Sequence, residues 1–257
     1  MGSVSKIASI SDKAKIGENV TIKDFAVIED DVVIGDNVVI GSNSFIGNGA
    51  RIANDVKIYH GAVVSTVPQD LKYKGEPTTL EIGEGTEVRE YATLHKGTVH
   101  SGKTVIGKNC LIMSYVHVAH DCIIGDRVII ANGAQFGGHV EVEDWVTIGG
   151  LVGVHQFVRL GQHSIIAFCS RVSKDVPPYI TAGHSPLKFE GLNLIGLRRR
   201  DFSNEQIKSI TDTYEMIYRS GLNISDGIKK LKEEKTTKEI DTIIKFFESS
   251  KRGVIQN

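Results

Sequence analysis

Hydrophobic residues recur at every sixth position through most of this chain. The period holds in three runs, from Ile10 to Val64, from Ile82 to Leu94 and from Ile106 to Val172. Neither an α-helix with its turn of 3.6 residues nor a strand with its two-residue alternation sustains a period of six. A hexapeptide period is typical of a parallel β-helix, in which short strands stack into a solenoid.

The position four residues after each of these repeat residues is also restricted, to small side chains or valine. Ala26, Ala50, Cys110 and Val128 are examples. This combination of large and small side chains suits the interior of a triangular coil. Three sextets make one coil, so residues 18 apart in sequence are expected to lie one above the other, with strands about 4.8 Å apart.

Glycine often follows the repeat residue directly. Examples are Gly17, Gly35, Gly107, Gly125 and Gly149. Glycine adopts backbone conformations that other residues avoid, so we interpret these positions as the bends between flat faces.

Two polar stretches interrupt the repeat, near residues 65–79 and 97–104. The first, STVPQDLKYKGEPTT, carries Asp70 and Glu76 at the repeat positions, and the second, KGTVHSGKT, carries His100. Their polar and proline content predicts loops that protrude from the solenoid. Such a loop is either a tolerated surface insertion or a structure that holds a ligand.

Beyond the last sextet the period becomes helical. Ser203 and Gln206 are spaced as a capping box at the start of a helix. Ser225 and Thr236 are predicted to begin two further helices. We therefore divide the chain into a β-helix domain over residues 1–192 and a helical domain over 193–257, which also covers one end of the solenoid.

The composition narrows the class of protein further. The 257 residues carry a formal net charge of -1, which gives no reason to expect nucleic acid or a membrane surface as a partner. Three cysteines without a CxxC motif are typical of a reducing compartment. The sextets begin near residue 10 without a secretory signal before them. We expect a cytoplasmic protein that is not embedded in a membrane.

Four of the nine histidines lie close together in the sequence, at His117, His120, His139 and His155. The 18-residue spacing stacks Gly138 over His120 and Gln156 over Gly138, and it places His139 over Asp121. An imidazole beside a carboxylate and a glycine N–H suits acyl transfer. The imidazole serves as general base, and the N–H stabilises a developing oxyanion.

Two other interpretations of these histidines stay open. A histidine on a strand is often solvated or hydrogen-bonded without a catalytic role. A zinc site between subunits, as in the γ-class carbonic anhydrases, would also use several histidines. The spacing of His117 and His120 disfavours zinc, because strand residues three apart point to opposite sides unless a corner intervenes. Cys110 and Cys122 fill the small inward position and are interpreted as core residues rather than ligands.

The motifs HVAHDC, GGHV, VHQF, DVPPY and GLRRRDFS follow one another along the chain. Together with QDLKYKGEPT and IIKFFESSKRG, they resemble the UDP-N-acetylglucosamine O-acyltransferase family of lipid A biosynthesis over the whole chain. The resemblance implies a mainly β fold, a left-handed parallel β-helix with a C-terminal α-helical domain, although parallel crossovers are usually right-handed. It also implies a homotrimer with its active sites between subunits.

The activity that this resemblance implies is the first step of lipid A biosynthesis. A 3-hydroxyacyl chain would pass from acyl carrier protein to the 3-hydroxyl of UDP-N-acetylglucosamine, with no metal and no other cofactor. A paralogous N-acyltransferase carries a uridine-binding domain before its sextets, and sextets that begin near residue 10 argue against it. Acylation of a 3-amino analogue of the sugar nucleotide, a trimeric zinc hydratase and a scaffold without catalysis are the alternatives.

The resemblance also assigns roles to single residues. His120 is the expected general base, Asp121 supports its imidazole, and the Gly138 N–H stabilises the tetrahedral oxyanion. Substrate contacts are expected from Asp70, Lys72, His117, His139, His155, Gln156, Asn193, Arg199 and Arg200. The last three are expected at the nucleotide diphosphate, which suits the forked donors of arginine. The alternative for the arginines is a solvated charge run.

Two positions depart from the family pattern. Ile195 stands where the family usually has an acidic residue, which puts the contacts to ribose or uracil there in doubt. Phe168 stands where many relatives have a small residue at the end of the acyl pocket, so we expect a preference for a shorter acyl chain.

Basic residues near the C-terminal domain are candidates for docking the acidic acyl carrier protein. They are Lys188, Arg198 and Arg219. The alternative is that these charges only keep the domain soluble.

Overall fold

A computed structural model describes residues 2–233 and 237–257 of the chain. Most of it is a stack of very short strands. The first fourteen are β1 Ser9–Ile10, β2 Lys15–Ile16, β3 Thr21–Ile22, β4 Val27–Ile28, β5 Val33–Ile34, β6 Val39–Ile40, β7 Phe45–Ile46, β8 Ala50–Ile52, β9 Lys57–Ile58, β10 Val63–Thr66, β11 Thr79–Ile82, β12 Glu87–Val88, β13 Thr93–His95 and β14 Lys103–Ile106. The next eleven are β15 Leu111–Ile112, β16 His117–Val118, β17 Ile123–Ile124, β18 Ile129–Ile130, β19 Gln135–Phe136, β20 Glu141–Val142, β21 Thr147–Ile148, β22 Gly153–Val154, β23 Arg159–Leu160, β24 Ile165–Ile166 and β25 Arg171–Val172. Two longer strands, β26 Ile180–Gly183 and β27 Lys188–Leu192, follow them.

Every third strand stacks into one sheet, so three sheets form the faces of a triangular prism. Their orders begin β1-β4-β7, β2-β5-β8 and, from the C-terminal end, β27-β26-β24. All the pairings within the solenoid are parallel, and β26 and β27 pair antiparallel at its end. In the third run, His117 pairs with Gln135 and Gln135 with Gly153, which is the predicted spacing of 18. The fold is the parallel β-helix that the period of six predicts, with the left-handed coil that the family resemblance implies.

The repeat residues fill the interior of the prism. Ile46, Ile112 and Ile148 are fully buried, and so are most of the other repeat residues. Cys110 and Cys122, at the small position, are buried as well, which confirms them as core. The first coil differs, because among the described residues Ile16 pairs with Ile34 on one side alone and is 37% exposed.

Each coil turns at corners where one residue takes a left-handed backbone conformation. This residue comes three positions after the repeat residue, with φ of 59° at Asp121 and 63° at Trp145. We name the three corners by these residues. The histidine corner contains Asp121, His139 and Phe157, the leucine corner contains Tyr115, Gly133, Leu151 and Cys169, and the tryptophan corner contains Arg127, Trp145 and His163.

The glycines directly after the repeat residues are therefore not the left-handed bend residues, and that prediction is wrong. They allow successive coils to approach closely. A Cβ on Gly35 would lie 2.3 Å from Asn54 Oδ1, and one on Gly107 would lie 2.4 Å from the carbonyl oxygen of Gly125. Any side chain there would push the coils apart.

Two loops leave the prism where the repeat is interrupted. Residues 67–78 connect β10 to β11, and residues 96–102 connect β13 to β14. Ile52 consequently pairs with Ile82, and Ile82 with Ile106, so the stacking interval is larger than 18 across both loops. The inserted residues form no coil of their own.

Helices follow the solenoid from residue 194 onwards. They are α1 Leu194–Arg199, α2 Asn204–Arg219, α3 Ile224–Glu233 and α4 Lys238–Ser249. The capping box of Ser203 and Gln206 at the start of α2 is confirmed, with both reciprocal hydrogen bonds present. The buried Tyr214 hydroxyl donates to the carbonyl oxygen of Pro178 at 2.6 Å and so ties α2 to the last coil.

The caps of the next two helices differ from the predicted ones. Asn223 Oδ1 accepts a hydrogen bond from Asp226 N at 2.9 Å, so Asn223 caps α3 and Ser225 lies in its first turn. The predicted cap at Thr236 lies outside the described residues. Thr237 caps α4. In the described parts of the chain, no helix is both long and apolar enough to cross a bilayer.

Candidate active site

Three successive coils place the predicted catalytic residues in one column at the histidine corner. His120 and Asp121 follow β16, Gly138 and His139 follow β19, and Phe157 follows β22. The backbone joins them directly, because His139 N donates to His120 O at 3.0 Å and Phe157 N donates to Gly138 O at 3.1 Å. The 18-residue stacking thus brings the residues together as the sequence indicates.

The closest contact in this column joins His120 to its neighbour in sequence. His120 Nδ1 lies 2.7 Å from Asp121 Oδ2, and the Asp121 carboxylate is buried. Burial alone raises the pKa of Asp121, but hydrogen bonds from Ser101, His120 and Thr98 outweigh it and leave this pKa well below its usual range. The ionised carboxylate favours the tautomer in which Nδ1 carries the proton and Nε2 is free to accept one.

Gly138 lies against the ring of His120. A Cβ at this position would come within 2.6 Å of Cε1 and 2.8 Å of Nε2. Glycine is therefore the residue that leaves room for the imidazole. Gly138 is buried, and among the described residues its N–H has no hydrogen-bond acceptor. His120 Nε2 likewise has no hydrogen-bond partner among them. One donor and one acceptor on neighbouring coils are thus unpaired within the described part of the chain.

His139 stands next to this pair and is held by stacking. Its ring lies parallel to that of Phe157 at 4.4 Å, and the edges of His100 and His120 approach it at 4.7 Å and 5.1 Å. Burial lowers the pKa of His139, although the nearby negative charges of Asp121 and Asp70 act in the opposite direction. The loop of residues 67–78 therefore brings Asp70 into the electrostatic surroundings of the site.

His117 lies in β16, the strand that precedes His120, and its ring pairs with that of His95 in β13. Its Nδ1 is 2.8 Å from Thr93 Oγ1, and the His95 ring meets it edge to face at 4.9 Å. Burial, together with His117 and His120, lowers the pKa of His95 to about 4. Among the described residues, the buried His95 Nδ1 has no hydrogen-bond partner.

Sequence reasoning missed His95. Its place directly after a repeat residue and before a polar interruption is the signal that would have found it. A buried imidazole with an unpaired nitrogen in this column makes His95 a candidate substrate contact.

Other predicted contacts lie at the rim of the column. His155 and Gln156 are exposed, and His155 Nδ1 lies 3.1 Å from the Gln156 carbonyl oxygen. Lys72 is exposed too, and its backbone N donates to Asp70 Oδ1 at 2.9 Å. These side chains face solvent and are free to meet a ligand.

The residues expected at the nucleotide lie elsewhere in the single chain, at the tryptophan corner. Asn193 is buried, where its Oδ1 accepts from Gly196 N at 3.0 Å and its Nδ2 donates to His163 O at 2.8 Å. The Arg200 guanidinium lies over the Trp145 ring at 4.9 Å. Arg199 and Ile195 are exposed on α1.

Phe168 lies beside the leucine corner, away from His120. Its exposed ring packs over Gly150, whose added Cβ would be 3.3 Å from it. A groove of about 600 Å³ runs beside it, lined by Tyr115, Ala131, Asn132, Gly133, Gly150 and Leu151. One chain therefore distributes the predicted site residues over all three corners.

One group of possible metal ligands occurs in the described part of the chain, and it is formed by His120, Asp121 and His139. Their donor atoms lie within 4.8 Å of one another. The Asp121 carboxylate, however, already accepts hydrogen bonds on both oxygens. This donor set fits a hydrogen-bonded base better than a metal centre.

Comparison with known proteins agrees with this geometry. The family model for the second domain of UDP-N-acetylglucosamine O-acyltransferase matches residues 175–255, and that for bacterial transferase hexapeptide repeats matches residues 13–48 and 103–138. The acyl-[acyl-carrier-protein]--UDP-N-acetylglucosamine O-acyltransferase of Chlorobaculum parvum is 55% identical over 77% of this chain and 75% of its own length. The chain belongs to the UDP-N-acetylglucosamine O-acyltransferase family.

Other members of the family extend the similarity. The enzyme of the same name from Aquifex aeolicus is 52% identical over 78% of this chain and 77% of its own length. The solved UDP-N-acetylglucosamine acyltransferase of Bacteroides fragilis superposes with a TM-score of 0.96 at 46% identity, covering 98% of this chain and 99% of that one. The match includes both the solenoid and the helices.

Proposed function

We propose that this chain transfers a 3-hydroxyacyl group from acyl carrier protein to the 3-hydroxyl of UDP-N-acetylglucosamine, the first step of lipid A biosynthesis. The observation that carries the proposal is the column of His120, Asp121 and Gly138 in a member of this family. The column supplies a base, a group that fixes its tautomer and a donor for an oxyanion. Acyl transfer from a thioester needs these three elements.

The reaction proceeds by direct transfer. His120 Nε2 removes the proton of the sugar hydroxyl while its oxygen attacks the thioester carbonyl. Asp121 accepts the Nδ1 proton in a hydrogen bond and stabilises the imidazolium. The Gly138 N–H donates to the oxygen that becomes negative in the tetrahedral intermediate.

Collapse of the intermediate completes the transfer. The carbon–sulfur bond breaks, and the imidazolium returns its proton to the departing thiolate of the acyl carrier. The products are an ester and a free thiol, and His120 is again neutral. The proposed steps account for every atom and proton without a metal or an organic cofactor.

The site is completed by neighbouring copies in a homotrimer. The outer faces of a prism are convex, and in the described part of one chain the predicted contacts lie at three different corners, too far apart to enclose one substrate. Asn193, Arg199 and Arg200 of a neighbouring copy would then meet the diphosphate bound near His120. Phe168 of a neighbouring copy would close the acyl channel and select a shorter chain.

The remaining contacts follow from charge and position. Asp70 and Lys72 orient the sugar nucleotide, and His117, His139, His155 and Gln156 contact the sugar, diphosphate or acyl chain. Acyl carrier protein docks on Lys188, Arg198 and Arg219, although Arg219 already pairs with Glu215 at 2.8 Å. The three free cysteines suit a reaction in the cytoplasm.

The test offers the purified chain UDP-N-acetylglucosamine and its 3-amino analogue, each with acyl carrier proteins of graded chain length. We expect ester formation, and we expect His120→Ala to lower kcat by about 100-fold or more, because general base catalysis contributes that much. His184→Ala is the matched control, since His184 is exposed and lies between β26 and β27. Preferred acylation of the amine, or a loss below about tenfold in His120→Ala, would contradict the proposal.

A further inference from the structure

The loop of residues 96–102 reaches Asp121 with two hydroxyl side chains. We propose that Thr98 and Ser101 are positioning residues, which fix the Asp121 carboxylate and through it the orientation of His120. The inference rests on the proposed function, because it concerns the base of that reaction. Neither residue touches the reacting atoms.

The contacts to the carboxylate leave it one orientation. Oδ1 accepts from Thr98 N at 3.0 Å, from Ser101 N at 3.3 Å and from Ser101 Oγ at 2.5 Å. Oδ2 accepts from Thr98 Oγ1 at 2.7 Å and from His120 Nδ1 at 2.7 Å. Ser101 Oγ also lies 2.8 Å from Lys103 O, but an ionised carboxylate is the stronger acceptor.

Four of these five donors belong to the loop and only one to His120. Asp121 lies at a corner of the coil and has a positive φ. The coil fixes only the backbone of Asp121, because Asp121 N donates to Thr104 Oγ1 at 2.8 Å. Without the loop, the carboxylate would be free to rotate about its Cβ–Cγ bond. The hydrogen bond to Nδ1 would then have no fixed direction, and the preference for the tautomer that leaves Nε2 free would weaken.

The loop is itself held firmly on its other side. Gly97 N donates to Thr79 O at 3.1 Å, and Thr78 Oγ1 donates to Gly97 O at 2.5 Å. Lys96 N donates to Thr66 O at 3.2 Å. These contacts anchor the loop to β10 and β11, so the position of Thr98 is set by the solenoid rather than by the substrate. This is what a rigid support for a catalytic base requires.

Thr98→Val and Ser101→Ala remove one hydroxyl each. We expect each substitution to lower kcat by about tenfold and the double variant by about 100-fold, with KM for the sugar nucleotide within about twofold of the wild type, because misdirected bases slow chemistry more than binding. Thr98→Ser and Ser101→Thr keep the hydroxyl and should restore most of kcat. Ser114→Ala, which removes a hydroxyl that donates to Glu90 at 2.8 Å beside the leucine corner, is the matched control.

A double-mutant cycle separates positioning from general damage to the fold. In the Asp121→Asn background, Ser101→Ala should lower kcat by less than about threefold, because its effect passes through the carboxylate. If the decrease in kcat caused by Ser101→Ala were as large in the Asp121→Asn background as in the wild type, the proposal would be overturned. An unchanged kcat in the double hydroxyl variant would overturn it as well.

Crystal structures make the test independent of turnover. In the double hydroxyl variant Oδ1 keeps its two backbone donors, but Oδ2 keeps only His120 Nδ1, so the carboxylate should turn about its Cβ–Cγ bond and the Nδ1–Oδ2 distance should lengthen from 2.7 Å. An unchanged carboxylate orientation and an unchanged distance between these two atoms would overturn the proposal even if activity fell. If the wild-type chain formed no ester, the proposed function would fail, whereas this structural comparison would still decide the role of Thr98 and Ser101.

Discussion

Gly138 and His120 are in contact across two coils, and the space that the imidazole occupies is the space that a side chain at position 138 would fill. The stacking of one coil on the next therefore accounts for the glycine at position 138 and for the position of the His120 imidazole, the proposed base. Among the described residues the Gly138 N–H has no acceptor, and it lies on the coil next to the one that carries His120. The proposed donor to the oxyanion and the proposed proton acceptor therefore belong to neighbouring coils of one stack.

Gly138→Ala should lower kcat by about 100-fold, because an added Cβ displaces the His120 ring and a shift of about 1 Å in a catalytic group has an effect of that size. The backbone of Gly138 is not left-handed, so alanine is tolerated there apart from this contact. Gly153→Ala is the control, since an added Cβ there meets nothing within 4 Å. Steady-state kinetics of both variants check the expectation, and equal activity would show that His120 accommodates the methyl group.

Phe168→Gly should shift the preference of the enzyme towards longer acyl chains. Removing the ring opens the end of the proposed channel by several methylene groups, each worth about 0.8 kcal/mol of burial. The ratio of kcat/KM values for long and short acyl carrier protein substrates measures the shift. Phe25→Gly removes a comparably exposed ring near the opposite end of the solenoid and should leave that ratio unchanged. An unaltered ratio in Phe168→Gly would remove Phe168 from the channel.

The stability of the protein should fall as the pH decreases from about 6.5 to about 4. Burial lowers the pKa of His95 and of His163 to about 4, below the ordinary value of 6.5. In this window the unfolded chain binds protons that the folded chain does not, so the free energy of unfolding rises with pH. Each histidine contributes up to about 3 kcal/mol across the window.

Melting temperatures between pH 4 and pH 8 test this dependence. His95→Gln and His163→Gln should each flatten the curve, whereas His155→Gln, at an exposed position, should not. A curve that keeps its slope in both buried variants would show that other groups cause the acid instability.

Asn193→Ala should destabilise the fold by about 1 kcal/mol, the usual effect of losing a helix cap. The side chain caps α1 and holds the His163 carbonyl group, so its amide is already engaged before any nucleotide binds. Asn193→Asp keeps the acceptor for Gly196 N but places a carboxylate oxygen against His163 O, so its melting temperature should also lie below that of the wild type. A rise in KM for the sugar nucleotide beside the lower melting temperature would support the proposed contact with the diphosphate as well, whereas an unchanged melting temperature would contradict the structural role.

The regular part of the molecule could be predicted from the sequence because its period is local and repeated. The spacing of 18 between His120 and Gly138 holds since no loop interrupts the coils between them. Across the loops it fails. The number of residues from Val64 to Ile82 equals one coil, so the count alone does not reveal that residues 67–78 leave the prism and that Ile52 pairs with Ile82.

The other features of the site and of the helices depend on contacts that do not repeat along the sequence. His95 and the hydroxyls that hold Asp121 belong to an irregular loop, and their positions follow from its anchors to β10 and β11. The prediction that glycines mark the bends is wrong, because the corner residues with left-handed backbone conformation are often Asn, Asp or an aromatic residue. The cap of α3 differs because Asn223, not Ser225, reaches the free N–H of Asp226.

The open first coil has a consequence for how the molecule comes apart. Each coil of a solenoid is stabilised only by its neighbours, and within the described residues the strand that holds Ile16 pairs on one side alone. Amide hydrogens near the N-terminus should therefore exchange fastest, and protection should rise coil by coil towards the centre of the stack. Fraying from that end would spare the histidine corner, which lies many coils away and closer to the helices that close the other end.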